Sequence, residues 1–177
     1  VSGSMSSVVT GNRGTASSSV RCIDVAGLMA AAGLRKNSEA RVLPFEQAVV
    51  KGLKLNARDS VMTNAQKLAK IGGGGTNCSA PLKQLADEKA QVDVVIMVSD
   101  NESWVDGVRR GATETMLQWE RIKQRNPGAK LVCIDIQPHG TTQAMERTDI
   151  LNVGGFSDAV FDVVAQGLGD LGTLLAR

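Results

Sequence analysis

Two short apolar runs, separated by one amphipathic segment, most constrain what this chain can fold into. The runs are VDVVIMVSD at 92–100 and AKLVCIDIQ at 129–137. Both are rich in Val and Ile and lack regular polar alternation, which is typical of strands buried on both faces of a parallel sheet. Between them, GATETMLQWERIKQRN at 111–126 has the apolar spacing of an amphipathic helix. We therefore predict an α/β fold, with a doubly wound, mostly parallel sheet and helices on both faces.

The rest of the chain supplies further elements in the same alternating order. The predicted elements are helices at 17–34, 59–71, 79–90 and 157–169, a third strand at 149–153, and strand character with a hairpin over 40–55. Ser17–Ser19 and Gly33 are the expected caps and stop of the first helix. Asp59 or Ser60 caps the second helix, and Pro81 falls in the first turn of the third. An aromatic content of 3% predicts a core built from aliphatic side chains.

Charge and cysteine content narrow the range of functions. The net charge is +2, but residues 35–70 hold eight Lys and Arg against three Asp and Glu. That stretch either contacts phosphates or forms a solvated face. Three widely spaced cysteines and one histidine argue against a zinc site and fit reduced thiols in the cytoplasm. There is no apolar run of about 18 residues, so we expect neither a membrane span nor a membrane partner.

Three loops carry small oxygen-bearing side chains at positions where ligands bind in such sheets. Ser2 and Ser4 lie in the first loop, Thr76 follows a run of four glycines, and Asp100 directly follows the first buried strand. Ligands in open α/β sheets bind beyond the carboxyl ends of the strands, so these loops can face one site. Hydroxyls and carboxylates suit Mg²⁺, with Mn²⁺ and Ca²⁺ as alternatives. Each residue also has an ordinary explanation as a solvent-exposed, loop or capping residue.

Taken together, these loops resemble a known pattern. VSGSM, GGGTN and VVIMVSDNES look like the three metal-site loops of the von Willebrand factor A-type (vWA) domain. The metal-ion-dependent adhesion site (MIDAS) of that family reads Asp-x-Ser-x-Ser, then Thr, then Asp. GGGTNCSAPL, DVVIMVSDNESW, AKLVCIDIQPHGTT and GGFSDAVFDVV further resemble the A-type domain of the Ro autoantigen family, RNA-binding ring proteins with a helical-repeat (TROVE) domain. The resemblance spans nearly the whole chain, so residues 1–177 are expected to form one A-type domain.

The resemblance implies a binding function and no catalytic residue. Ser2, Ser4, Thr76 and Asp100 would hold a divalent cation, foremost Mg²⁺, whose open coordination position takes an acidic residue of a protein partner. A helical-repeat domain upstream would bind small noncoding or misfolded RNA in RNA quality control. The family's first aspartate and the central apolar strand leading into it would precede Val1. The A-type domain is therefore expected to be incomplete at its amino terminus, with the central first strand missing from this chain.

Two other functions are open on the sequence. A metal beside Asp100 can polarise a phosphate, as in a metal-dependent phosphoester-processing enzyme, and A-type domains can also mediate protein adhesion unrelated to RNA. Against catalysis, the one histidine, His139, sits in a Gly/Thr loop where an exposed residue is commoner than a general base. There is also no Gly-x-Ser-x-Gly elbow and no phosphate-loop motif. Cys78, close to the predicted site, either packs beneath its loop or is redox-active.

Overall fold

The computed structural model describes residues 3–6, 8–9, 20–71, 75, 77–99, 114–137 and 147–155. The elements in chain order are a short 3-10 helix at Gly3–Ser6, α1 at Cys22–Lys36, α2 at Val61–Ala69, α3 at Ser79–Asp87, β1 at Val94–Ser99, α4 at Glu114–Arg125, β2 at Lys130–Asp135 and β3 at Ile150–Gly154. The three strands form a parallel sheet in the order β1–β2–β3. The predicted α/β class and parallel sheet are confirmed.

Side-chain alternation along the strands divides the core between the two faces of the sheet. Ile96 of β1 and Val132 of β2 lie in a cluster with Met29 of α1. Met97, the next residue along β1, lies in a second cluster with Trp119 of α4, which also contains side chains of α3. The sheet is therefore covered by helices on both faces, as predicted.

Helices α1 and α2 pack against each other in opposite directions. A Cβ added at Gly27 of α1 would lie 3.0 Å from the carbonyl oxygen of Ala65 in α2, so glycine permits this close approach. At the end of α1, Arg35 Nη1 donates to the carbonyl oxygens of Ala57 and Arg58 at 3.2 and 3.0 Å. Ala57 and Arg58 lie four and three residues before the start of α2, so the end of α1 lies beside the beginning of α2.

An ion network centred on the buried Asp149 carboxylate joins α4 to the start of β3. Trp119 Nε1 donates to Asp149 Oδ2 at 2.9 Å, and Arg147 donates to the two oxygens of the same carboxylate at 2.9 and 3.1 Å. Lys123 Nζ lies 3.9 Å from that carboxylate, and Arg147 also pairs with Glu120. Burial raises the pKa of Asp149, but the bonds from Trp119 and Arg147 outweigh it, and the pKa lies below its ordinary value. The ionised carboxylate therefore stabilises the folded state.

Burial differs between the two strands that the sequence predicts to be interior. In β2, Leu131, Val132 and Ile134 are fully buried. In β1, Val94 and Ile96 are only half-buried, and the described ladder joins this strand to β2 on one side alone. Within the described residues the interior-strand prediction is confirmed for β2, whereas β1 forms an edge.

Hydrogen exchange should separate these two strands. The β2 amides lie between two partner strands, so we expect them to exchange only on global unfolding. We expect faster exchange for the alternate β1 amides that point away from β2, because the described ladder does not bond them. Native-state exchange followed by NMR or mass spectrometry measures both rates. Equal protection along β1 and β2 would contradict this difference.

Helix α1 differs from its prediction at both ends. It begins after Arg21, whose backbone N–H and guanidinium both donate to the Asp24 carboxylate at 2.8–3.0 Å. The expected stop at Gly33 is wrong, because the helix continues to Lys36. Leu34 is buried, so continuing the helix places an apolar side chain in the core.

The predicted strand and hairpin over 40–55 appear as a local turn. Phe45 and Val49 form an isolated antiparallel bridge, and the Val50 N–H donates to the Pro44 carbonyl at 2.8 Å. The structure describes every residue of this segment, and no regular strand forms in it. Pro44 lacks the N–H that a longer ladder would require.

The remaining helix signals are confirmed where the structure describes them. Ser60 caps α2, its Oγ accepting the Thr63 N–H at 3.0 Å, and Pro81 lies in the first turn of α3. The predicted helix at 157–169 and the candidate caps Ser17–Ser19 lie outside the described residues. None of the helices described is long and apolar enough to span a bilayer.

Candidate metal centre

The carboxyl ends of β1 and β2 lie side by side at one edge of the sheet. Ser99, the last residue of β1, is in register with Asp135, the last residue of β2. The Ile136 N–H donates to the Ser99 carbonyl at 2.9 Å, and the Ser99 and Asp135 side chains are buried. The predicted ligand Asp100 lies outside the described residues, but its chain neighbour Ser99 belongs to this buried edge.

The first predicted loop is held at the same edge by Met5. This residue of the 3-10 helix is 3% exposed and packs in one cluster with Ile134 and Ile136, at the end of β2. The backbone of Ser4 lies in the same short helix, whereas Ser2 lies outside the described residues. The segment that carries the two candidate hydroxyls is thus attached to the carboxyl end of the sheet.

Asn77 fixes the end of the second loop. Its N–H donates to the Glu46 carbonyl at 2.8 Å and its Nδ2 to the Gln47 carbonyl at 3.2 Å. Its Oδ1 accepts the Ser79 N–H and hydroxyl at 3.1 and 2.7 Å. Asn77 therefore ties the turn at 45–49 to the start of α3. The predicted ligand Thr76 precedes Asn77 in the chain and lies outside the described residues.

Cys78, the residue after Asn77, packs in the hydrophobic core. It is fully buried in the cluster that also contains Cys133 of β2. Burial, with a smaller contribution from Cys78, raises the pKa of the Cys133 thiol to about 12, so that thiol is neutral at physiological pH. No disulfide joins any of the three cysteines, all of which the structure describes. The packing explanation for Cys78 is the one that this environment supports.

Asp135 is a carboxylate at this edge that the sequence analysis missed. Its Oδ1 accepts the Gln137 N–H at 3.1 Å, and Gln137 Nε2 in turn donates to the Val8 carbonyl at 2.8 Å. Strand alternation places the Asp135 and Ser99 side chains on the face covered by α3 and α4. Its position at the end of the second buried run was the available signal, since Asp100 was noticed for following the first.

The donor chemistry fits a hard divalent cation. The four predicted ligands offer three hydroxyls and one carboxylate, and Asp135 adds a second carboxylate at the same edge. Among the described residues, no group of three or more His, Cys, Asp or Glu side chains lies together, so that part of the chain offers no alternative site of this kind. Only the backbone of Ser4 is described among the four ligands, and their convergence stays a prediction. Among their chain neighbours, Ser99 ends β1, whereas Met5 and Cys78 pack in the clusters on opposite faces of the sheet.

Comparison with known proteins identifies the family. The model of the Ro60 vWA domain matches residues 1–166. The chain belongs to the Ro60 vWA domain family. The RNA-binding protein RO60 of Deinococcus radiodurans is 31% identical over 160 residues, which cover 84% of this chain and 29% of that protein. The crystal structure of the Deinococcus radiodurans RO (RSR) protein matches with a TM-score of 0.68 and 24% identity, over 94% of this chain and 33% of that chain.

These matches confirm the family and the fold that the three loops indicated. The Ro60 vWA domain covers nearly the whole chain, and the likeness to the Deinococcus radiodurans structure supports the same α/β architecture. The chain spans about a third or less of the length of the relatives that it matches. The matches therefore identify this domain and do not establish the activity or the partners of a whole Ro protein.

Proposed function

We propose that this chain is the metal-dependent binding domain of a Ro-like RNA-binding protein. The observation that carries the proposal is the match to the Ro60 vWA domain over residues 1–166. In the intact protein, an upstream helical-repeat domain binds small noncoding or misfolded RNA. The protein acts in RNA quality control in the cytoplasm, a setting that suits three cysteines without a disulfide.

The metal part of the proposal concerns the carboxyl edge of the sheet. Ser2, Ser4, Thr76 and Asp100 hold Mg²⁺, with Mn²⁺ or Ca²⁺ as substitutes, and Asp100 supplies the charged ligand. Mg²⁺ takes about six oxygen ligands and keeps several waters, so an acidic side chain of a protein partner can replace one water. Met5 packs with the end of β2, and Ser99 ends β1 in register with Asp135, so the neighbours of Ser4 and Asp100 at the carboxyl edge support this arrangement.

The chemistry of this edge favours binding over catalysis. Asn77 and Asp135 both bond to neighbouring backbone groups and so serve to fix the turns. The Deinococcus radiodurans relative is likewise named as an RNA-binding protein.

Incubation of the intact protein with a small noncoding RNA in Mg²⁺ tests this proposal. We expect saturable RNA binding and recovery of the RNA at full length, measured by filter binding and by denaturing gel. RNA cleavage that is lost in Asp100→Ala would replace the proposal with a phosphoester-processing enzyme. Absence of RNA binding would instead leave a protein-adhesion domain unrelated to RNA.

A further inference from the structure

The most basic part of the chain lies where α1 ends and α2 begins. We call the four residues Arg35, Lys36, Lys54 and Arg58 the basic end. Arg35 holds the turn at Ala57 and Arg58 against the end of α1 through its two bonds to carbonyl oxygens. Lys36 follows Arg35 directly, and Lys54 lies four residues before Arg58, within about 14 Å of chain. The four cations therefore share one region of the surface.

The basic end lies far from the carboxyl edge of the sheet. Arg21, immediately before α1, forms an isolated antiparallel β-bridge with Val8. The Val8 carbonyl accepts a hydrogen bond from Gln137, just beyond the end of β2. Helix α1 thus begins near the carboxyl edge, and its 15 residues extend about 22 Å. A ligand at the basic end would consequently occupy a surface separate from the predicted metal centre.

Stabilisation of α1 explains only two of the four cations of the basic end. Arg35 and Lys36 lie in the last turn of α1, where a positive charge interacts favourably with the negative end of the helix dipole. Lys54 and Arg58 lie outside any helix, are exposed, and form no ion pair with another described residue.

Nearby charges leave an excess of positive charge on this surface. Lys67 is paired with Asp59 at 2.9 Å, and Arg41 with Glu88 at 2.7 Å. Glu39 adds one exposed carboxylate close to the end of α1. The four cations of the basic end outnumber this remaining acid.

We propose that the basic end binds the phosphate backbone of RNA held by the intact protein. This inference rests on the proposed function and assigns this domain a contact of its own with the RNA. Long, unpaired cations suit phosphates, and the region has no exposed aromatic side chain for base stacking, so the contact is independent of base sequence. Met62 is the one large apolar side chain exposed within residues 35–70, too little for a protein interface of ordinary size.

Two matched double variants of the intact protein test this surface. K54Q/R58Q removes one Lys and one Arg from the basic end. K89Q/R125Q removes one of each from exposed positions on the α3–α4 side, and neither of these two forms an ion pair with a described residue. Asn126 Nδ2 donates to the Ala90 carbonyl at 3.1 Å, so Lys89 and Arg125 are also close together.

The readout is the dependence of RNA affinity on salt. For single-stranded RNA, each cation that stops neutralising a phosphate makes the slope of log K against log salt shallower by about 0.7, so K54Q/R58Q should make it shallower by about 1.4. K89Q/R125Q should leave the slope unchanged, and K54R/R58K, which keeps both charges, should retain the wild-type value. Thermal melts should be the same for all four proteins, since these side chains form no described ion pair.

The outcomes separate this inference from the function on which it rests. RNA binding with an unchanged slope in K54Q/R58Q, or equal changes of slope in the two glutamine variants, would overturn the proposal for the basic end. The proposed function of the intact protein would still stand. A wild-type protein that binds no RNA would overturn both proposals. Loss of a protein partner without any change in RNA affinity in K54Q/R58Q would make this surface a protein-docking site and contradict the inference.

Discussion

The Asp149→Ala variant is expected to lower the free energy of unfolding by about 2 kcal/mol, because it takes from the half-buried Arg147 one of its two carboxylate partners and leaves it only Glu120. The Asp149 side chain is 10% exposed and accepts bonds from the Trp119 indole and the Arg147 guanidinium. Removing it also takes away the acceptor of a fully buried indole N–H. Urea denaturation followed by circular dichroism measures the loss.

Asp87→Ala is the matched control for this variant. Asp87 also bonds two cations, Lys83 and Arg121, at 2.6 and 2.7 Å, but its side chain is 46% exposed. Solvent screens such pairs, so we expect a much smaller loss than at Asp149. Equal losses in the two alanine variants would contradict the structural role of the network around Asp149.

The Asp149 carboxyl should also make the protein sensitive to acid. Its folded-state pKa lies below that of the unfolded chain, so its contribution is fully present above the unfolded value of about 3.9 and is lost as the pH falls through the folded value. Asp149→Asn keeps an acceptor for Trp119 but does not titrate. We therefore expect the stability difference between wild type and Asp149→Asn to shrink as the pH falls below about 4.

Divalent cation is expected to stabilise the intact protein, and Asp100→Ala should remove most of that gain. At 100 times the dissociation constant, a metal that binds only the folded state adds about 2.7 kcal/mol of stability. Asp100 is the predicted charged ligand, so its removal should reduce the gain more than Thr76→Ala, which deletes a neutral hydroxyl. Thermal melts with and without Mg²⁺ or Mn²⁺ measure the shift for each variant.

The same strand supplies a control for the metal experiment. Asp93 is exposed and lies just before β1, at the opposite end of the strand from Asp100. Asp93→Ala removes the same charge from the domain but should retain the wild-type metal-induced shift. A metal-induced shift that falls equally in Asp93→Ala and Asp100→Ala would show that this shift depends on the net charge of the domain and not on a specific metal site.

The first two strands of the sheet were predictable because each of them carries its own signal. The Val- and Ile-rich runs at 92–100 and 129–137 identify β1 and β2 without any reference to the rest of the chain. The parallel orientation of the strands follows from the alternation of helices and strands. Local capping chemistry likewise gave Ser60 as one of two candidate caps, and its hydroxyl bonds a backbone N–H only three residues away.

The errors lie where distant contacts decide local structure. Gly33 carries the signal of a helix stop, but the burial of Leu34 continues α1 beyond it. The turn at 45–49 is held by bonds from Asn77, some thirty residues away, which no local pattern reveals. Asp135 was overlooked although it ends the second buried run, and the register that sets it beside Ser99 is a contact between distant segments.

A crystal structure of the intact protein soaked in Mn²⁺ tests the metal site most directly. We predict an anomalous difference peak at the carboxyl end of β1, in one coordination sphere with the hydroxyls of Ser2, Ser4 and Thr76 and with Asp100 bound directly or through water. The same soak of Asp100→Ala should show no peak at this position. A wild-type map without a peak at this edge, or with Mn²⁺ bound away from these four side chains, would contradict the assignment.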